Sequence, residues 1–291
     1  MSKPIQPSEL ILNENGSVYH LHLKPENIAK DIIFVGDPDR VEKVSKHFDT
    51  IEFSIQKREF KTITGFYKHK RISVISTGIG PDNIDIVLNE LDALVNIDLK
   101  KRTIKERLTS LNIYRIGTSG ALQKNIPIDS FLISSHGLDV NGLLQSYQTT
   151  TISNPAFENA FVTHTNWHPN KTTPILIEGN KSLIKKFASD KTQEGITITA
   201  GGFYAPQGRS IRLPLLDEKL NEKIIAFNFN KQQITNLEME TSAIYGLSKL
   251  LGHKAISLNA ILANRSLGLF SNNPEKIVNK LILYSLKKIT S

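Results

Sequence analysis

One local pattern occurs twice near the start of the chain, and the repetition limits the folds open to it. Asp31-Ile-Ile-Phe-Val-Gly-Asp-Pro-Asp-Arg40 reads as a short buried strand that breaks at Gly36, turns, and enters a helix carried by Val41, Val44 and Phe48. Arg71-Ile-Ser-Val-Ile-Ser-Thr-Gly78 repeats the logic: Gly78 and Gly80 end a strand, and Ile84, Val87, Leu88, Leu91 and Leu94 mark the buried stripe of a helix. Between them, residues 59–70 read as an edge hairpin. A third strand, Leu111-Asn-Ile-Tyr-Arg-Ile-Gly117, ends in Thr118-Ser119-Gly120, and a fourth at 130–135 follows with no helix between them, so strict βαβ repetition breaks there. Later come a strand at 195–200, a helix at 240–251, a strand at 255–262 and a C-terminal helix at 274–289. The expectation is an α/β protein, a single-domain three-layer α/β/α fold with a central mixed β-sheet over residues 1–291, whose ligands gather beyond the carboxyl ends of the strands. Residues 1–17 are expected to be flexible or peripheral, 96–110 a helix extension plus surface loop, and 145–181 a flap or interface loop.

Composition narrows the chemistry. With 39% hydrophobic and 22% charged residues, the chain of 291 residues can bury a sizeable core. It has no cysteine, which excludes a disulfide framework, a thiol nucleophile and a thiolate metal site. The formal charge is +8, but the lysines are scattered and the densest basic cluster, Lys100, Lys101, Arg102, Lys105 and Arg107, contains Glu106. A solvated basic face is favoured over a nucleic-acid surface. The N-terminus lacks a basic segment followed by a long apolar core, and no apolar run approaches the roughly 20 residues of a membrane helix. A cytoplasmic protein with no membrane partner is expected.

Three groups of residues carry chemistry. Gly36 with Arg40, the Ser76-Thr77-Gly78-Ile79-Gly80 turn, and Arg115 with Thr118 and Gly120 all set glycine beside arginine or a small hydroxyl. Glycines let backbone N–H groups approach an oxyanion, hydroxyls donate to it, and guanidinium groups bind it through two parallel bonds. Each alone also reads as an ordinary turn with a solvated charge. Arg115 lies in the apolar run Ile113-Tyr-Arg-Ile116, where an unpaired charge is expensive, so it needs an anionic partner: an internal carboxylate or a bound phosphate. In Asn236-Leu-Glu-Met-Glu-Thr-Ser-Ala243, alternate carboxylates on an extended segment would point to opposite faces, giving Glu238 and Glu240 different tasks. A helix N-terminus that favours acidic residues explains the same segment. Gly201-Gly-Phe-Tyr-Ala-Pro-Gln-Gly-Arg209 offers an aromatic face for a flat ring, with Gln207 and Arg209 at its edge. Such a set suits a heterocycle carrying carbonyls and an N–H, as uracil does, or is simply an aromatic-rich loop.

Taken in order, these segments resemble the purine/uridine nucleoside phosphorylase family, and the resemblance runs from about Tyr19 to the C-terminal helix. It is carried by Gly36-Asp-Pro-Asp-Arg-Val-Glu-Lys43, Arg58-Glu-Phe60, Ser76 through Gly80, Arg115 through Ala121, Phe203 through Arg209, Glu238-Met-Glu240 and Asn264-Arg265. It implies that Gly36, Arg40, Arg115 and Thr118 bind inorganic phosphate as co-substrate, with Arg58 reaching in from a neighbouring subunit. Met239 and Glu240 would hold the ribose, with the neighbour's His20 near its 5′-hydroxyl. Phe203 resembles the stacking aromatic and Gln207 and Arg209 the pyrimidine-reading pair, with Thr118, Gly120, Glu238 and Arg265 around the base. Purine-specific relatives carry an aspartate where this chain has Ala263-Asn264-Arg265. The implied reaction is therefore reversible phosphorolysis of uridine to uracil and ribose 1-phosphate through an oxocarbenium-like transition state, with Arg40, Arg115, Gln207 and Arg209 as the catalytic set. The implied assembly is a homo-oligomer, minimally a dimer and by resemblance a hexamer. A structural potassium ion would fall to Glu59, Ile79 and Asn83, although asparagine stands where relatives have serine. The loop also departs from the family, with Ala205-Pro206 where Pro-Gly is usual. The competing readings are a purine nucleoside phosphorylase, a hydrolytic nucleosidase, and a non-enzymatic nucleoside- or nucleic-acid-binding protein.

Overall fold

A computed structural model describes residues 3–291. In chain order the elements are β1 (Asp31–Val35), α1 (Pro38–Ser45), β2 (Thr50–Lys57), β3 (Phe60–Tyr67), β4 (Lys70–Ser76), α2 (Pro81–Asn96), β5 (Ile97–Asp98) and β6 (Thr103–Ile104). They continue through β7 (Asn112–Ala121), β8 (Phe131–Asp139), α3 (Pro155–Thr165), β9 (Ile175–Glu178), α4 (Lys181–Phe187), β10 (Thr192–Thr199) and α5 (Leu220–Ala226). The last are β11 (Asn228–Phe229), β12 (Gln232–Glu238), α6 (Thr241–Leu250), β13 (Lys254–Asn264), β14 (Leu269–Phe270) and α7 (Pro274–Thr290).

The main sheet runs β11-β12-β10-β8-β13-β7-β1-β4-β3-β2, with β9 beside β8 and β14 beside β13. It is mixed: β1 lies parallel to β4 and β7, whereas β8 is antiparallel to β13. β12 also pairs antiparallel with β7 through Asn236 and Leu237, so one part of the sheet closes on itself. Side chains alternate across β1. Ile32 and Phe34 join the cluster under α2 and α6, and Ile33 and Val35 join the one under α1, α4 and α7. Helices thus cover both faces, as the buried strand runs require. At about 1.5–3 kcal/mol for each buried aliphatic side chain, these two clusters supply most of what orders the sheet.

The first strand-turn-helix unit forms where expected, but its helix ends at Ser45, so Val41 and Val44 lie on it and Phe48 lies beyond its end. Pro38 opens α1, and the Asp37 carboxylate accepts the Arg40 N–H at 2.8 Å. The second unit turns on Gly80, whose φ of 105° few other residues would adopt, just before Pro81. Other boundaries differ from the reading. The hairpin is wider than 59–70: β2 and β3 turn at Arg58-Glu59, and β4 follows in a three-stranded meander. β7 does not end at Gly117, because Thr118, Ser119 and Gly120 pair with Ala260, Ile261 and Ala263 of β13, and neighbouring strands satisfy what looked like a turn. α2 stops at Asn96 rather than extending, and residues 97–104 form the small β5-β6 hairpin. The region 145–181 contains α3 and β9, with Phe157 and Phe161 fully buried. β8 and β13 run further than expected, through Asp139 and Asn264. Near the N-terminus, the Ile5 N–H reaches the Arg102 carbonyl at 2.7 Å, and Ser17 and Val18 are buried.

Candidate active site

The strands β1, β7, β12 and β13 bring their carboxyl ends to one cavity of about 330 Å³. Its floor holds Gly36, Arg40, Arg115, Thr118 and Gly120, one wall holds Glu238, Met239 and Glu240, and the mouth holds Phe203, Gln207, Arg209 and Phe270. The anion-type turns and the aromatic loop, far apart in sequence, face each other across it.

Arg115 finds its anions within the chain. It is buried, with Nη2 2.6 Å from Glu240 and 3.0 Å from Glu238, and Nη1 donates to Asn259 Oδ1 at 3.0 Å. Burial works against its charge, but the two carboxylates more than offset this and hold its pKa above the ordinary value. Its guanidinium folds over Gly117, where any Cβ would lie 2.1 Å from Nη1. The expectation that Glu238 and Glu240 face opposite ways is corrected here. β12 ends at Glu238, the chain turns into α6, and the two carboxylates converge on one guanidinium. Their tasks still differ. Glu238 accepts the Glu240 N–H at 2.9 Å, the Thr241 N–H at 2.9 Å and the Thr199 hydroxyl at 2.7 Å, so it caps α6 and its oxygens are engaged. Glu240 accepts the Gly80 N–H at 2.9 Å and keeps a place on the cavity wall beside Met239. Burial above all, helped by the Glu238 charge, pushes the Glu240 pKa up despite Arg115.

Arg40 stands across the floor from Arg115, paired with Asp37 at 3.1 Å, and burial chiefly lowers its pKa. Five charged groups therefore meet here, Arg40 and Arg115 against Asp37, Glu238 and Glu240. A single chain offers an incoming anion no net positive charge from this set.

At the mouth, a 3₁₀ turn at Ala205–Gln207 buries Gln207 while Phe203 and Tyr204 stay exposed. The Arg209 guanidinium lies 3.9 Å over the centre of the Phe203 ring, donating to the Phe203 carbonyl and to Gln207 Oε1, both at 2.6 Å. A flat, N–H-bearing group therefore already occupies the aromatic face and the Gln207 acceptor. Arg265 reaches from the end of β13 to donate to the Gln207 carbonyl and, at 3.2 Å, to that of Gly208. Burial first, then Arg209, lowers its pKa to about 10. Arg265 thus supports the loop through the backbone. Asn221 of α5 donates to the same two carbonyls at 3.2 and 3.3 Å.

His20 and Arg58 are not brought to this cavity. They share a separate one of about 80 Å³ with Asn13, Tyr19, His22 and Lys57. Arg58 is exposed at the β2-β3 turn with a φ of 54°. Glu59, Ile79 and Asn83 do gather around Gly78, where the Asn83 amide donates to the Ile79 carbonyl at 3.4 Å. That contact sets an N–H against an oxygen a cation would use. No cluster of three or more acidic, His or Cys ligands occurs among the described residues.

Sequence reasoning missed Asn259, Asn221 and Glu90. Asn259 was open to the same logic as Arg115, a polar residue inside the apolar run Ala255-Ile-Ser-Leu-Asn-Ala260. Asn221 and Glu90 sit on helices whose polar faces look solvated, and their partners are remote in sequence.

Comparison with known proteins follows the same outline. The family profile described as the phosphorylase superfamily matches residues 30–279. A uridine phosphorylase of Thermococcus kodakarensis is 30% identical over 265 residues, 90% of this chain and 83% of that protein. A uridine phosphorylase of Haemophilus influenzae is 27% identical over 86% of this chain and 87% of its own. The crystal structure of a Trypanosoma brucei nucleoside phosphorylase, described as showing uridine phosphorylase activity, superposes with a TM-score of 0.85 at 28% identity, covering 97% of this chain and 100% of that one. No helix among the described residues is long and apolar enough to cross a membrane.

Proposed function

The chain belongs to the phosphorylase superfamily, and from that premise we propose that it is a uridine phosphorylase, a pentosyltransferase that cleaves uridine with inorganic phosphate to uracil and ribose 1-phosphate. The observation that carries this is the meeting, in one cavity, of Gly36, Arg40, Arg115 and Thr118 with Phe203, Gln207 and Arg209. The first group suits a tetrahedral oxyanion and the second a flat ring bearing carbonyls and an N–H. Glu240 and Met239 stand between them, where a ribose would bridge the two.

In this reading phosphate sits against the α face of C1′, the bond to N1 lengthens, and positive charge grows on the sugar. The phosphate stabilises that charge, while Gln207 and Arg209 stabilise the negative charge growing on uracil; electrostatic preorganisation does the chemistry, and no covalent intermediate is required. Gln207 Oε1 accepts the ring N–H, its Nε2 donates to a carbonyl, and Arg209 leaves its stacked position to donate to the other. Thr118 and Gly120 line the base side, Arg265 holds the loop, and Glu238 acts through Arg115 and the cap of α6.

The balance of charge inside one chain supports the expectation that Arg58 and His20 act in trans. Arg40 and Arg115 are already matched by Asp37, Glu238 and Glu240, so this end of the cavity offers a dianion no net positive charge of its own, and the Arg58 of a second copy would supply one. The working unit is accordingly a homo-oligomer built from dimers, with a hexamer as the fuller assembly, in the cytoplasm. One phosphorylase domain spans the chain, with residues 1–17 as its peripheral start, of which 1 and 2 lie outside the described residues. Glu59, Ile79 and Asn83 are the candidate potassium ligands, with a structural role only.

Ala263-Asn264-Arg265 at the end of β13 disfavours a purine phosphorylase, and the paired arginines disfavour a hydrolase. Incubation with uridine, inosine or adenosine, with and without phosphate, tests the proposal. Uracil is released only from uridine plus phosphate; release without phosphate, or only from a purine nucleoside, overturns it. Salt-sensitive DNA binding without turnover would indicate the basic-protein alternative.

A further inference from the structure

Glu90, on α2, makes contacts that cap no helix end and neutralise no surface cation. Its Oε1 lies 2.7 Å from His20 Nδ1 and 2.9 Å from the His20 N–H, and its Oε2 accepts the Leu21 N–H at 2.9 Å. The segment it grips is fastened on either side, because Val18, Leu21 and Leu23 are buried in the cluster with Val87, Leu88 and Leu91 of α2. The Val18 N–H reaches the Leu23 carbonyl at 3.0 Å, and the His22 N–H reaches the Val18 carbonyl at 3.1 Å, closing a tight loop. His20 is thus held at three points, by its main chain, by its apolar neighbours and by its ring.

The ring contact has a chemical consequence. A carboxylate oxygen accepts in this contact, so Nδ1 is the donor, and the tautomer this selects carries its lone pair on Nε2, the opposite edge of the ring. His20 lines the small cavity shared with Lys57 and Arg58. A fixed imidazole with a bare Nε2 is an acceptor for a hydroxyl; an imidazole of the other tautomer would present an N–H instead.

We propose that Glu90 is a positioning residue of the active site, setting the tautomer and orientation of His20 so that Nε2 accepts a hydrogen bond from the primary hydroxyl of the nucleoside sugar bound in the neighbouring copy. This rests on the proposed role of His20 in trans. It makes Glu90 a determinant of sugar specificity, although it touches no substrate.

The test compares uridine with 5′-deoxyuridine, which lacks that hydroxyl, in wild type, His20→Ala, Glu90→Gln and the double variant. Glu90→Gln keeps an oxygen for the backbone N–H groups while its NH₂ donates to Nδ1 and forces the other tautomer. With Nε2 turned into a donor, the hydroxyl must offer a lone pair in place of its hydrogen, which is left without its acceptor; misplacing that one hydrogen bond predicts a fall of about five- to tenfold in kcat/KM for uridine, with 5′-deoxyuridine unchanged within about twofold. The double variant should match His20→Ala on both substrates, since Glu90 acts only through His20. Equal losses on both substrates in Glu90→Gln, or no loss on uridine, overturn the proposal. A wild type that releases no uracil from uridine and phosphate fails the functional reading instead, and is recognised before any variant is made. Thermal stability separates a displaced loop from a switched tautomer: Glu90→Gln at wild-type Tm with the uridine preference lost supports the tautomer role.

Discussion

Arg209→Ala separates substrate binding from transition-state stabilisation, because Arg209 is engaged before any substrate arrives. Its guanidinium stacks on Phe203 at 3.9 Å and donates to Gln207 Oε1 at 2.6 Å, the two places where the base is proposed to bind. A cation over an aromatic ring contributes roughly 0.5–2 kcal/mol. A charge-assisted hydrogen bond contributes about 1.5–3 kcal/mol. Uridine must break both contacts to enter, so the new Arg209 contact to the bound base is largely offset in the ground state. As the glycosidic bond lengthens, however, negative charge grows on the pyrimidine and the same donor becomes strongly favourable. Removing a donor of this kind costs about 2.7–4 kcal/mol, or roughly 100- to 1000-fold in kcat. Arg209→Ala should therefore lower kcat by about that factor while the KM for uridine changes by less than about threefold and the KM for phosphate not at all. Arg209→Lys should recover little, since an ammonium lacks the planar fork that both stacks and donates. Steady-state rates of uracil release over a matrix of uridine and phosphate concentrations give all three parameters. A variant that keeps kcat and loses only KM would show that Arg209 serves the ground state, and the reasoning would fail.

Two other tests address the charges. Arg115→Met leaves two buried carboxylates without their cation and should cost about 3–5 kcal/mol in chemical unfolding at neutral pH. Burial already holds the Glu240 pKa above its unfolded value, and such a group costs stability at every pH above the unfolded pKa. The deficit relative to wild type should therefore shrink as pH falls toward the ordinary carboxylate range, by at most about 1.4 kcal/mol per pH unit for each carboxylate that takes up a proton; a deficit independent of pH contradicts the burial of Glu240 as ionised. Arg40→Ala and Arg58→Ala should each lose activity alone, yet chains of the two refolded together should recover about a quarter of wild-type activity, because half the dimers are mixed and one of their two sites is intact. No recovery on mixing would place Arg58 in cis.

The covering of the sheet on both faces was legible because it rests on local periodicity. In β1 the side chains alternate between two clusters, and in α2 the Ile84, Val87, Leu88, Leu91 stripe is buried as its spacing requires. Glycine was the less reliable guide. Gly36 does end a strand, but Gly117 and Gly120 lie inside β7, because β12 and β13 pair with the backbone there. Whether a glycine breaks a strand depends on neighbours that are far away in sequence.

The chain alone determined that Arg115 must meet an anion, since an unpaired guanidinium in an apolar strand is too costly to fold. Which anion was decided by the end of β12 and the start of α6, which turn Glu238 and Glu240 onto the same nitrogen at 3.0 and 2.6 Å. The residue types of an oxyanion turn and a pyrimidine-reading loop were likewise written in order along the chain. Only the tertiary structure set them across one cavity, left His20 and Arg58 outside it, and placed Glu90 against the His20 ring. The physical reason is the same each time: propensity and patterning act over a few residues, whereas a site is made of groups 70 to 160 residues apart whose charges and hydrogen bonds exist only after the sheet has closed.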